Sequence, residues 1–374
     1  MDYLGKDIKK LGFGLMRLPM IGGDVDIEQT RQMIDLFLKK GFTYFDTAYG
    51  YLDGKSEAAV KEALVDRYPR DVFQLATKLP AWAGPKTAEE AQGMFWTSLE
   101  RTGAGYFDFY LLHNLGAERT EAFNKFGIWD FLAGQKKEGR IRHLGFSQHA
   151  SADFLDETLK AHPEMEFVQL QINYSDWESG IVQSRKCYEV ARKHGKPVII
   201  MEPVKGGALA KLPEQAARIL KDADPGVSPA SWAIRCAASL EGIVTVLSGM
   251  STLEQMQDNI SYMEHFTPLS SGERAVIEKV QKALAVIPQV PCTDCKYCMK
   301  GCPQNVAIPG TFKVINDYLI YGDPEKARGS YKWEVMNFAP ASKCVACGQC
   351  EAVCPQSIKI TDELVKAAKV LEPA

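Results

Sequence analysis

Up to about residue 270 the chain alternates short apolar runs with longer segments whose apolar residues recur every three or four positions. The runs are Leu11–Met16, Phe42–Phe45, Val72–Ala76, Phe107–Leu112, Ile141–Phe146, Phe167–Ile172, Val198–Met201 and Ile243–Leu247. Most lack polar alternation, as parallel strands covered on both faces require. The segments between them, such as Ile27–Lys40 and Glu121–Glu138, carry the helical period. Gly41 and Gly139 stand where a helix end favours a left-handed residue. Ser228-Pro229 offers an N-cap followed by proline at the first helical position. Eight strand–helix units predict an α/β fold, a closed (β/α)8 TIM barrel. A doubly wound open sheet is the alternative, but no Gly-x-Gly-x-x-Gly follows the first strand.

The pattern changes after a helical stretch, Ser271–Ala285. The segment Ile287-Pro288-Gln289-Val290-Pro291 reads as a boundary, and cysteines begin at once. This divides the chain into a barrel over 1–287 and a small domain over 288–374. Eight of the ten cysteines form two strings of one design, Cys292-x2-Cys295-x2-Cys298-x3-Cys302-Pro303 and Cys344-x2-Cys347-x2-Cys350-x3-Cys354-Pro355. That spacing is the bacterial pattern for a pair of 4Fe–4S clusters, in which the fourth cysteine of each string ligates the other cluster. One cluster is therefore expected on Cys292, Cys295, Cys298 and Cys354, the other on Cys344, Cys347, Cys350 and Cys302. Zinc also uses Cys-x2-Cys pairs, but four cysteines per string with a trailing proline fit it poorly. A disulfide framework is disfavoured because nothing marks secretion. The strings are 41 residues apart and Phe312–Tyr321 reads as helix, which favours a mainly helical, ferredoxin-like arrangement. Thr361–Ala374 is also helix-like. Cys187 and Cys236 lie outside the strings, and buried structural thiols are their default reading.

Composition narrows the remaining classes. The 374 residues are 46% hydrophobic and 24% charged, ordinary for a soluble globular chain. A net charge of −3 gives no electrostatic case for nucleic acid or an anionic membrane. The first residues, MDYLGKDIKKLGFG, lack the apolar run of a signal peptide, and no stretch approaches the length of a membrane span. The expected location is the reducing cytoplasm.

In a barrel, chemistry belongs at the carboxyl ends of the strands. There the second strand runs into Asp46-Thr47-Ala48-Tyr49-Gly50-Tyr51, the third ends at Ala76-Thr77-Lys78, the fourth at Leu112-His113-Asn114, and the fifth at Ser147-Gln148. Taken singly, each has a bland reading. Asp46 could cap a helix, Lys78 could be solvated, His113 could be a core histidine and Tyr51 could be loop surface.

Together with Ser56-Glu57, Gly145-Phe146-Ser147, Gln169, Gly249-Met250-Ser251 and Asp258-Asn259, these residues make the barrel portion resemble an aldo/keto reductase, over nearly all of residues 5–265. The whole chain resembles the subgroup carrying a C-terminal 4Fe–4S ferredoxin-like domain. The resemblance implies a catalytic tetrad of Asp46, Tyr51, Lys78 and His113. Tyr51 would be the general acid, Lys78 would lower its pKa, Asp46 would compensate Lys78, and His113 would orient the substrate oxygen. It also implies NADPH or NADH held by Gly14, Met16, Asp46, Ser147, Gln148, Gln169, Met201, Pro203, Gly249, Ser251 and Asn259. Two departures stand out. Met201 replaces the aromatic ring that commonly stacks on the nicotinamide. Gly249 and Gln255 stand where a cation commonly grips the 2′-phosphate.

The implied activity is NAD(P)H-dependent reduction of an aldehyde or ketone, or the reverse oxidation of an alcohol. An alternative is an electron-transfer protein whose barrel holds another redox cofactor and whose clusters serve a redox protein partner. A non-catalytic binding subunit is a third class, which an intact tetrad argues against. Trp82–Lys86 and Leu115–Phe126 are the expected walls for a small-molecule substrate, with Trp82 and Trp129 as contacts or as core.

Overall fold

The computed structural model describes residues 4, 7–292 and 294–373. Met1 and Ala374, the outer limits of the two expected domains, lie outside the described residues, as does most of the segment before Asp7.

All eight apolar runs become strands of one closed parallel barrel. They are β1 (Leu11–Gly14), β2 (Tyr44–Asp46), β3 (Gln74–Leu79), β4 (Phe107–Leu115), β5 (Ile141–Gln148), β6 (Phe167–Gln171), β7 (Val198–Met201) and β8 (Ile243–Ser248). Each pairs with the next, and β1 closes against β8. Helices cover the outside, among them Ile27–Lys39, Ala88–Thr102 and Pro229–Ala238. Caps act where the sequence placed them. Ser228 accepts from the Ser231 N–H with Pro229 at the first turn, and Gly41 and Gly139 take φ of 75° and 79°.

Two local expectations are corrected. Val72 falls outside β3, in a short turn, and is 42% exposed. Glu121–Glu138 forms two helices, Thr120–Lys125 and Ile128–Lys137. The break is at Gly127, whose φ of 62° no helix accommodates, while apolar spacing runs on through it. A small antiparallel hairpin, Met20–Ile21 with Asp24–Val25, was not foreseen and is too short for alternation to show.

Strand parity explains what the barrel encloses. Tyr44, Ala76, Phe109, Leu111, Phe167, Ile199 and Val244 pack together as an inner cluster. Residues of intermediate parity, such as Phe45, Leu75, Tyr110, Val168 and Ile200, join the larger layer beneath the helices. Side chains two residues on share a face. Asp46, Lys78, His113, Gln169 and Met201 therefore follow the inward residues of five strands.

Contacts divide the chain into two compact units, Met1–Ala210 with Val227–Arg274, and Lys211–Gly226 with Ala275–Ala374. The second unit is mainly helical. Ile308–Tyr321, Pro324–Glu334 and Ile360–Leu371 bury Phe312, Tyr331 and Leu364 in its core. The expected helices over Phe312–Tyr321 and over the tail are both present.

Gly145 on β5 is the tightest approach in the barrel wall. A Cβ there would lie 2.4 Å from the Phe167 carbonyl oxygen and 2.8 Å from its ring. Gly145→Ala should cost about 2–3 kcal/mol, since overpacking against backbone cannot be relieved by a rotamer change. Denaturant unfolding of the two proteins checks this.

Candidate active site and cysteine loops

The ends of β2, β3 and β4 bring the predicted tetrad together. Lys78 is fully buried and Asp46 nearly so. The Lys78 ammonium donates to Asp46 Oδ1 at 2.5 Å, to the Thr47 carbonyl at 2.7 Å and to the Tyr51 hydroxyl at 3.3 Å. The Tyr51 and His113 rings meet edge to face, 5.8 Å between centroids.

Tyr51 stands on a loop, and Ser56-Glu57 pins that loop. Ser56 bonds Thr47 at 2.7 Å and the Leu15 carbonyl at 2.9 Å. Glu57 accepts from Thr77 at 2.7 Å and pairs with Arg101, which also holds the Tyr49 carbonyl. Leu52, Asp53 and Gly54 all take positive φ. Three left-handed residues in succession turn the chain sharply, at a cost that the surrounding bonds offset.

Burial, countered by Lys78, lifts the Asp46 carboxyl above its usual value. For Lys78, burial acts downward but Asp46 and Tyr51 act upward, and the ammonium ends above its usual value. Lys78 pulls the Tyr51 phenol downward, as expected, but does not set the net direction. Burial outweighs Lys78, and the phenol is raised. Burial, then the charges of Lys78, His149 and Arg119, hold His113 well below the usual imidazole value. At pH 7 the site therefore presents a protonated phenol and a neutral imidazole.

The expected cofactor residues are placed differently from one another. Gly14 is paired beside Asp46, and Ser147 beside Gln169. Ser147 Oγ accepts from the Asn114 N–H at 2.8 Å. The amide nitrogen of Gln169 points to the Met201 sulfur at 3.7 Å. The Gln148 and Gln169 amide oxygens, His113 Nδ1 and Asp46 Oδ2 are buried with no partner. Buried polar atoms are seldom left so, and the Gln169 oxygen, on an inward position, is an acceptor suited to a carboxamide donor. Gln148 instead shares the outward parity of Phe146 and turns its amide nitrogen to Cys187 Sγ at 3.8 Å. Pro203 is buried and Met16 is half exposed. Ser251 Oγ donates to the Arg17 carbonyl at 2.8 Å, at the start of helix Leu253–Met263. The Asn259 amide is engaged by Gln255 and Tyr262 within its own helix.

Two arginines escaped the sequence reading. The Arg17 stem packs on Gly249, its Cδ 3.2 Å from where a Cβ would stand. It comes from just beyond β1, and only closure of β1 on β8 makes it a neighbour of the last loop. Arg119 lies over the Trp82 ring, 5.0 Å from its centroid. The Trp82 indole donates to the His113 carbonyl at 2.8 Å. Trp129 is a core residue instead, stacked on His162 at 3.5 Å.

In the second unit, the third cysteine of each string sits in a single helical turn, Tyr297–Lys300 and Gln349–Ala352. A small pocket is lined by Cys344, Cys347 and Cys350, and by Cys302 from the other string. The Val306 N–H donates to Cys302 Sγ at 3.4 Å. Cys292 lies within electrostatic reach of Cys295 and Cys354. The cysteines gather in this way without a shared metal-binding point, since no group of three or more His, Cys, Asp or Glu converges among the described residues. Cys187 and Cys236 are separate, and burial pushes both thiols up to about 11.

Residues 10–282 match the model of the aldo/keto reductase family. The chain belongs to the aldo/keto reductase family. Residues 291–358 of this family member match the model of the 4Fe-4S dicluster domain. The uncharacterized oxidoreductase YqkF of Bacillus subtilis is 24% identical over 317 residues, 74% of this chain and 92% of that protein. A probable aldo-keto reductase 1 of Glycine max is 28% identical over 214 residues, covering 54% of this chain but only 58% of its own length. Among solved structures, the aldo-keto reductase AKR11C1 of Bacillus halodurans, in its holo form, superposes with a TM-score of 0.60 at 24% identity, over 75% of this chain and 95% of that one. An aldo-keto reductase of Klebsiella pneumoniae in complex with NADPH gives 0.56 at 23%, over 73% and 91%. At these identities the superpositions establish the barrel fold. No helix among the described residues is long and apolar enough to cross a membrane.

The depressed His113 pKa has a thermodynamic consequence. The unfolded imidazole takes a proton near pH 6.5 while the folded one does not. Stability contributed by the neutral ring is present above about pH 6.5 and is lost as pH falls toward the folded value. The melting temperature of the wild type should drop more steeply between pH 7 and 5 than that of His113→Gln. Parallel pH profiles would mean that the folded ring protonates freely.

Proposed function

We propose that the barrel reduces an aldehyde or ketone with NADPH or NADH, and that Tyr51 is the general acid. The carrying observation is the buried Asp46–Lys78 pair bonded to Tyr51, with neutral His113 against the phenol ring. When bound, the nicotinamide supplies a hydride to the carbonyl carbon. The proton for the oxygen comes from Tyr51 Oη. The Lys78 ammonium stabilises the phenolate left behind, and Asp46 keeps that ammonium charged without solvent. His113 donates a hydrogen bond that orients the carbonyl and opposes charge on its oxygen.

The unpartnered oxygen of Gln169 fits a carboxamide, with Ser147 beside it. Met201 packs a thioether where a ring would otherwise lie. Gly14, Met16, Pro203, Gly249, Ser251 and Asn259 complete the cofactor track. Arg17, over Gly249, supplies the cation that the last loop lacks, and it favours NADPH through the 2′-phosphate.

We divide the chain functionally into this barrel, 1–287, and a domain for two 4Fe–4S clusters, 288–374. Cys302 in the wall made by Cys344, Cys347 and Cys350 supports crossed ligation, as does Cys354 near Cys292. Clusters on these residues supply one-electron redox chemistry.

Tyr51→Phe should lower kcat for NADPH-dependent carbonyl reduction by about 100- to 10,000-fold, the range for losing a general acid. NADPH affinity should change less than twofold, roughly, because a phenol that gives up its proton only at the transition state adds little to ground-state binding. Full activity in this variant on every carbonyl that the wild type reduces would discard Tyr51 as the acid.

For the clusters, Cys302→Ser and Cys347→Ser should each remove the same EPR signal and about half the iron. The double variant should lose no more than either single one. A Cys302→Ser spectrum matching that of Cys295→Ser would show uncrossed ligation.

A further inference from the structure

Arg119 is a cation at the barrel mouth that the tetrad does not use. Its Nη1 donates to Asn114 Oδ1 at 2.8 Å, and its guanidinium lies over Trp82. Both partners are neutral, and no carboxylate pairs with it among the described residues. Each partner is itself fixed at the end of β4. Asn114 takes φ of 57° and its N–H is held by Ser147. Trp82 is held by the His113 carbonyl, its ring 6.3 Å from the imidazole. Arg119 is thus fastened by two short links to the residues around His113. Its charge reaches that imidazole, where it opposes protonation.

An exposed arginine is ordinarily solvated or paired with a surface carboxylate. This one is spread on an indole face beside the tetrad, with the rest of its planar fork uncommitted. That fork matches a carboxylate in bidentate geometry. Stacking on an aromatic ring restricts the side chain beforehand and lowers the entropy lost on binding. A carbonyl oxygen between Tyr51 and His113 would leave the substrate's far end toward Trp82 and Arg119.

We propose that Arg119 binds a carboxylate of the substrate, which makes the substrate class an oxo acid or a carboxylate-bearing aldehyde. This rests on the reductase reading of the tetrad. A single guanidinium balances a monoanion, whereas a phosphate dianion calls for more than one cation.

The test uses anaerobically purified holoprotein with NADPH. The ratio of kcat/KM for 4-carboxybenzaldehyde to that for benzaldehyde should fall about tenfold in Arg119→Ala, the lower end for a charge-assisted hydrogen bond. The fall should lie mainly in KM, and Arg119→Lys should recover part of it. An unchanged ratio would overturn the proposal. Calorimetric titration with benzoate, against benzyl alcohol, reads the anion site without turnover. Benzoate should bind more tightly than the alcohol, and Arg119→Ala should remove the difference. No preference for benzoate in the wild type would also overturn it. Arg119-dependent benzoate binding in a protein that reduces neither aldehyde would retain the carboxylate site and remove the reductase reading.

Discussion

The buried ion pair of Lys78 and Asp46 is the constraint around which the barrel mouth is built. Their side chains are 0% and 3% exposed. A charge so placed is tolerated only when it is paired and its protons are bonded. The ammonium has three donors, and Asp46, the Thr47 carbonyl and Tyr51 take them. The loop that carries Thr47 and Tyr51 must therefore close over Lys78. Ser56, Glu57 and Arg101 hold it closed, and the left-handed run Leu52–Gly54 is the conformation that closure demands. Residues that touch nothing reactive thus decide where the phenol stands.

Burial sets the protonation of the pair's surroundings and the pair modifies it. Burial first, and then the Lys78 charge, keep the imidazole neutral, so the ring cannot compete with Tyr51 as a cationic acid. Burial keeps Tyr51 protonated. On the proposed reading, a reduction needs a proton held until hydride arrives, and a raised phenol with an ammonium beside it would meet that need. Lys78 acts on the phenolate formed in the reaction more than on the resting phenol.

Most of this was legible because barrel chemistry follows strand parity. Once Tyr44, Ala76 and Leu111 point inward, Asp46, Lys78 and His113 must do so as well. The cysteine strings were legible for a similar reason, since ligand spacing is local. What escaped reading depends on closure or on solvent. Arg17 meets Gly249 only through the β1–β8 seam, and Arg119 meets Trp82 only across the mouth between two loops. The sign of the Tyr51 shift needed the depth of the site, which spacing does not report. Gly127 shows a further limit, since apolar period continues across a residue whose backbone breaks the helix.

The two cofactor classes to which the family matches point handle electrons in different denominations. A nicotinamide gives two at once as hydride, and a 4Fe–4S cluster passes them singly. On the reductase reading proposed above, the tetrad would provide a proton donor, a buried ammonium and an oriented imidazole, which suit hydride transfer. Any electron from the clusters therefore needs a carrier able to split the pair before it can serve this chemistry. The cysteine loops have a second, independent reason to persist. Cys298 and Cys350 are core residues of their unit, packed in one cluster with Phe312, Tyr331 and Leu364. Ligand binding at such positions is coupled to folding, so clusters on these loops would hold the helical unit together whether or not the barrel draws on them.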